Sequence, residues 1–264
     1  MEYMSKIAGS SDRKSCITTI LSQMGADFQT QQFEDAENII VSFNPSNKRL
    51  VIGAHWDAEK GSNGANDNAS GCSVLLRVIE TVLSEPKFCK SIDFVFFGEE
   101  ENGCIGASDY IESVGKENIS AMVNVDVCGF GNQILLSDKG NLSNPLFGGL
   151  MDETLLKKYK VQLPGFLPQG DDYIFELNDI PNVSICTAEC NAVTVFTEIG
   201  RKIATEQPIT EKDQEALLRL DVVKTMHGGE FDDISYLTSG AVEMVAFFLI
   251  EGLLNGSISG MTSS

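Results

Sequence analysis

Only two histidines occur in this chain of 264 residues, and one of them sits in VIGAHWDAEKGSNGANDNASG, residues 51–71. There an apolar run ends in His55, Trp56 and Asp57, and a loop rich in Gly and Asn follows with Asp67 inside it. A second apolar run, SIDFVFFG (91–98), ends in Glu99, Glu100 and Glu101, and a third, AMVNVDV (121–127), carries Asp126. Each has an ordinary use: a strand-end histidine hydrogen-bonds, an acid triplet is a solvated charge run, and a loop aspartate caps a helix. Gathered at one place they mean something else, because crowded, desolvated carboxylates repel one another unless cations neutralise them. Imidazole mixed with carboxylate suits zinc, whereas an all-oxygen set suits calcium or magnesium. Two imidazoles and three acids suffice for two divalent ions sharing a bridging carboxylate, a device that activates water and polarises a substrate. Asp57 is spaced to hold the His55 ring from behind and fix its tautomer. His227, in KTMHGGEFDDISYL, lies in a Gly-rich turn among acids; it is either a solvated loop histidine or the second imidazole.

The elements that must position these groups follow from periodicity and punctuation. ENIIVSF (37–43) and RLVIGAH (49–55) read as strands joined by the turn NPSNK. CSVLLRVIETVL has helical spacing, as do residues 10–26, where Ser10, Ser11 and Asp12 are available as caps. Residues 91–98, 121–127, 132–137, 182–186 and the stretch KVQL read as further strands. GASDYIESV, residues 146–158, the polar stretch from TVFTEIG to VVKTM and the apolar AVEMVAFFLIEGLL (241–254) read as helices. Strands alternating with helices predict an α/β fold, a single domain over 1–264 with a mixed, mostly parallel central sheet and helices on both faces. In such sheets ligands collect beyond the carboxyl ends of the strands, which is where His55, the Glu triplet and Asp126 fall.

Charge and composition narrow the partners. With 19 basic against 38 acidic residues the net charge is −19, which argues against nucleic acid and anionic membrane as partners, since both would be repelled. The segment 241–254 is too short to span a bilayer and carries Glu243 and Glu251. The first residues, MEYMSKIAGSSDRKSC, have no apolar core stretch of the secretory type. The seven cysteines lack metal-finger spacing; Cys72, Cys89 and Cys128 sit beside apolar residues and read as small core residues, and only Cys186 and Cys190 are spaced for a local bridge. Together these features predict a cytoplasmic protein.

HWD, GANDNASG, FVFFGEEENGCIGAS, MVNVDVCG and the late His227 resemble the zinc aminopeptidases of peptidase family M28. The motifs match closely over about 37–136 and more loosely to the end of the chain. The resemblance implies a di-zinc exopeptidase acting on peptides or dipeptides. His55 and Asp126 would hold one zinc and Glu101 and His227 the other, with Asp67 bridging. Glu100 would be the general base and Asp57 would orient His55, leaving Glu99 as an extra acid. Many members carry Tyr before the last histidine, where this chain has Met226, and HGGEFDD is one residue longer than the usual pattern if Asp232 corresponds. Tyr173 and Tyr236 are the candidates to replace that Tyr. Residues 187–226 carry no motif and are expected to form a rim that sets substrate choice. Two alternatives share the fold: a glutaminyl-cyclase-like acyltransferase with one zinc, and a non-catalytic binding module.

Overall fold

Unbroken apolar strands need a sheet covered on both faces, and the computed structural model, which describes residues 1–34, 36–137 and 144–255, has that arrangement. Its strands are β1 (Gln29–Gln32), β2 (Glu37–Phe43), β3 (Arg49–His55), β4 (Ile92–Phe97), β5 (Ile119–Val125), β6 (Gln133–Ser137) and β7 (Asn182–Ala188). They form one sheet in the order β1-β2-β4-β3-β5-β7-β6. The four central strands β4, β3, β5 and β7 are parallel, and β1, β2 and β6 run antiparallel at the edges.

The helices, in chain order, are α1 (Glu2–Ala8), α2 (Arg13–Met24), α3 (Gly71–Leu83), α4 (Ile105–Val114), α5 (Glu153–Lys158), α6 (Asp172–Leu177), α7 (Cys190–Ala204), α8 (Glu211–Leu218) and α9 (Ser239–Asn255). Alternation along the strands sorts them. Ile52, Ala54, Phe94 and Phe96 face the layer of α1, α2, α3 and α9, where Met4, Ile17, Leu75 and Leu249 are buried. Val51, Val95 and Phe97 face α4 and α6, meeting Tyr110, Ile111 and Phe175. A smaller cluster joins Leu135 and Ala188 to Phe196 of α7 and Val222.

The connections decide where a ligand can sit. The chain leaves β3, crosses through α3 to the neighbouring β4, and then returns through α4 to β5 on the far side of β3. Since α3 and α4 lie on opposite faces, a crevice opens at the carboxyl ends of β3, β4 and β5, the switch point of the sheet.

Several expectations change. The polar strand β1 and the short α1 were not expected. Residues 146–158 form a 3-10 turn (Pro145–Met151) and then α5, not one helix. KVQL contributes a single bridge, Leu135 to Gln162, and no strand. Cys89 is exposed, because it lies on the loop entering β4 and not within it; Cys186 and Cys190 are both free.

Candidate active site

The site is built where the switch point places it. His55, the last residue of β3, is 1% exposed. Its Nε2 lies 3.1 Å from Asp67 Oδ1, 3.5 Å from Asp126 Oδ1 and 4.0 Å from Glu100 Oε2, while Nδ1 lies 3.4 Å from Asp57 Oδ1. Asp57 also accepts the backbone N–H groups of Glu100 (3.2 Å) and Glu101 (3.1 Å), tying the end of β3 to the end of β4. On the other side His227 Nδ1 stands 3.2 Å from Glu101 Oε2 and 3.9 Å from Asp67 Oδ2. The His227 N–H donates to the same Asp67 Oδ2 at 2.7 Å. Asp67 thus turns one oxygen to each histidine.

The loop that carries Asp67 explains the asparagines around it. Asn66 donates to Thr225 Oγ1 (2.7 Å) and accepts the Gly129 N–H (2.7 Å). Asn68 donates to the Val125 carbonyl (2.9 Å) and accepts the Gly71 N–H (2.8 Å), so the first turn of α3 is pinned to the end of β5. The Asp67–Asn68 peptide bond is cis. Beyond β5, Val127 follows Asp126 with φ of 54°, a left-handed conformation that β-branched residues avoid. Gly170 faces the site so closely that an added Cβ would lie 3.1 Å from Glu100 Oε1 and 3.3 Å from Asp126 Oδ2.

Electrostatics follow from burial and crowding. Burial alone would push the His55 imidazole down, but Asp126, Asp57 and Asp67 outweigh it and hold the ring well above its ordinary value. Burial would raise Asp67, yet His55 and the N–H and imidazole of His227 keep it lowered. Glu100 has no such partner: burial, against only partial relief from His55, pushes it up to about 7, with Asp126 and Asp67 adding to the rise. Glu101 holds His227 up to about 9.

Three overlapping donor groups result: His55, Asp67 and Asp126; His55, Glu100 and Glu101; and Asp67, Glu101 and His227, with the ligand atoms in each within 4.8 Å of one another. Asp126 Oδ1 is buried without a hydrogen-bond partner. An orphaned buried carboxylate oxygen beside an imidazole fits a divalent cation. All seven residues expected from the sequence (His55, Asp57, Asp67, Glu100, Glu101, Asp126 and His227) therefore converge. Tyr173 and Tyr236 do not line the adjoining cleft and are 40% and 48% exposed. That cleft runs from Glu100, Asp126 and His227 to an apolar wall that includes Leu167, Phe196, Val222 and Met226.

Two residues, Asp171 and Arg13, are not legible from sequence, and Asp232 is legible only as a candidate counterpart of the family's aspartate. Asp171 is buried with both carboxylate oxygens unpartnered, and burial, with Glu100 and Asp126 adding to it, holds it well above the carboxylate range. Asp232 accepts from Ser62 Oγ (2.5 Å), the Asn66 N–H (2.8 Å) and the Asp67 N–H (3.3 Å). Arg13 reaches the same loop from α2. Only the GDD and FDD pairs hint at the two aspartates.

Comparison with known proteins agrees with the geometry. The model of peptidase family M28 matches residues 38–224. An aminopeptidase of Bacillus subtilis is 34% identical over 103 residues, 36% of this chain and 22% of that protein. A probable leucine aminopeptidase of Arthroderma benhamiae is 30% identical over 99 residues, 33% of this chain and 28% of that protein. The chain thus spans under a third of the length of these relatives. Among solved structures, a zinc aminopeptidase from Bacillus subtilis superposes with a TM-score of 0.59 at 20% identity, over 83% of this chain and 49% of that one. A glutaminyl cyclase from Porphyromonas gingivalis gives 0.69 at 18% identity over 96% of each chain, so both share this fold. With the family match running through every strand from β2 to β7, the chain belongs to peptidase family M28.

Proposed function

We propose that the protein is a di-zinc exopeptidase, acting on the amino end of peptides, with Glu100 as its general base. The observation that carries this reading is that Asp67 belongs to two donor groups, one with His55 and Asp126 and one with Glu101 and His227, the pattern two ions with a common carboxylate require. His55 and Asp126 would hold one zinc, Glu101 and His227 the other, and Asp67 both. Bound there, zinc supplies a Lewis acid for the scissile carbonyl and lowers the pKa of a water to about 7.

The chain does the rest. Glu100 lies 4.0 Å from His55 Nε2, within the cluster yet next in sequence to the ligand Glu101. Its carboxylate takes the proton from the attacking water and returns it to the leaving amine. Asp57 fixes the His55 ring and, through two N–H groups, the backbone of the Glu pair. The cleft lining holds, among the described residues, no Lys or Arg to pair with a substrate's terminal carboxylate, which favours action at the amino end. The apolar wall suits a hydrophobic side chain next to the scissile bond, and Phe196, Val222 and Met226 make residues 187–226 the segment that sets that preference.

Glu100→Gln tests the reading. Hydrolysis of unblocked aminoacyl amides should fall by about 10²–10⁴-fold with metal content unchanged; a variant that kept most of its activity would rule Glu100 out as the base. A panel of free and N-blocked dipeptides reads the direction, and cleavage of blocked substrates would exclude aminopeptidase action. A one-zinc centre, as in a cyclase-like transferase, is favoured by one observation: the His227 side chain is 68% exposed whereas that of His55 is 2%. Metal analysis near one zinc per chain would support it, near two the peptidase.

A further inference from the structure

The loop between β3 and Asp67 is gripped from behind by a cation that belongs to no ion pair among the described residues. Arg13 is the first residue of α2, whose start is fixed by Asp12, accepting the Ser15 N–H at 2.9 Å and its hydroxyl at 2.6 Å. Arg13 is 9% exposed. Nη1 donates to the carbonyls of Trp56 (3.3 Å) and Asp57 (3.0 Å), and Nη2 to those of Gly64 (3.0 Å) and Asn63. The four acceptors come in two pairs, one at each end of the loop 56–64, so the planar fork closes that loop into a ring. Packing there is tight: at Gly64, which has φ of 46°, an added Cβ would lie 2.5 Å from Arg13 Nη2 and from Ala58 Cβ.

From the opposite side Asp232 takes the Ser62 hydroxyl and the N–H groups of Asn66 and Asp67. A cation on the carbonyls and an anion on the N–H groups thus hold the same dozen residues. Without such a frame the loop would yield to repulsion, since Asp67 must stand among Asp57, Glu100, Glu101 and Asp126. A guanidinium suits the task because it stays charged and offers five donors in a rigid plane. It also lies outside residues 38–224 that match the family.

We infer that Arg13 is a positioning residue: through its four carbonyl contacts it holds loop 56–64, and with it Asp57 and Asp67, in the metal-binding form before a cation arrives. This rests on the metal-centre reading above. A direct hydrogen-bond partner of a metal ligand typically contributes 10–100-fold in affinity, and Arg13 holds the backbone of one such partner, Asp57.

Arg13→Lys is the informative variant, because it keeps the charge and removes the fork. In full-length chain stripped of metal, zinc affinity is measured against a competing chromophoric chelator, well below the melting temperature of each protein. The expected result is a loss of tenfold or more in Arg13→Lys. Unchanged affinity in a fully folded variant would overturn the inference, even if its melting temperature fell. Amide exchange in the metal-free wild type reads the same point if the variant does not fold. The Ser62 and Ala69 N–H groups, bonded to the Glu59 and Gly64 carbonyls at 2.9 and 3.0 Å, should be protected before zinc is added. Free exchange there, with protection only after zinc, would overturn it. Wild-type chain that takes up no zinc sinks the metal reading instead, and the exchange data still decide whether the loop is preset.

Discussion

Asp57 has two jobs at once. One oxygen faces His55 Nδ1, and its carboxylate also accepts the N–H groups of Glu100 and Glu101. Burial would raise its pKa, but His55 and those N–H groups keep it lowered. Replacing it by Ala frees an imidazole and two backbone donors together. Zinc affinity of Asp57→Ala should fall by about 10–100-fold, and kcat should fall with it because Glu100 loses its anchor. Isothermal titration of the stripped variant checks the first, and wild-type affinity would refute it. Asp67→Ala goes further: metal and activity should disappear together, and two tightly held ions in that variant would end its bridging role. Val127, strained at φ of 54°, is held by the Thr187 N–H on its carbonyl at 3.0 Å; such a residue costs of order 1–3 kcal/mol and here turns the chain immediately after Asp126.

At the scale of elements, the strands carry unlike loads at their two ends. Opposite the site, Tyr110 of α4 donates to Asp93 Oδ2 of β4 at 2.6 Å, and Arg49 of β3 reaches the same oxygen at 3.1 Å. Tyr110→Phe should destabilise the fold by about 1–3 kcal/mol in urea denaturation without altering zinc affinity; an altered affinity would mean the two sheet ends are coupled. Glu189, at the start of α7, accepts the N–H groups of Asp221 and Val222 at 2.8 and 3.2 Å and so braces the approach to His227. The strands and acids nearest the chemistry were legible because β3, β4 and β5 are buried on both faces and read as apolar runs ending in ligands. What the sequence hid is of another kind. QTQQ of β1 is an edge strand with no apolar alternation, and Arg13 and Asp171 act across separations that no local pattern encodes. Cys89 misled because an apolar neighbour in sequence does not guarantee burial.

For the whole molecule, the charge of −19 and the cluster at the switch point push the same way. Stripping the metal should lower the melting temperature, and zinc at a hundred times its Kd should restore about 2.7 kcal/mol; a melting temperature indifferent to chelator would contradict the metal centre. One sheet carries all three apolar clusters, so we propose that residues 1–264 form one domain; calorimetry should then give a single transition. No helix among the described residues is long and apolar enough to cross a membrane. The distribution of the site along the chain has a further consequence. His55, Asp67, Glu100, Glu101 and Asp126 all lie within residues 55–126, and His227 stands alone far beyond them. At roughly 5–20 residues per second of synthesis, the ribosome exposes the donors for the first ion several seconds before the last ligand for the second. On the two-zinc reading the donors for one ion therefore leave the ribosome before the last donor for the other, His227.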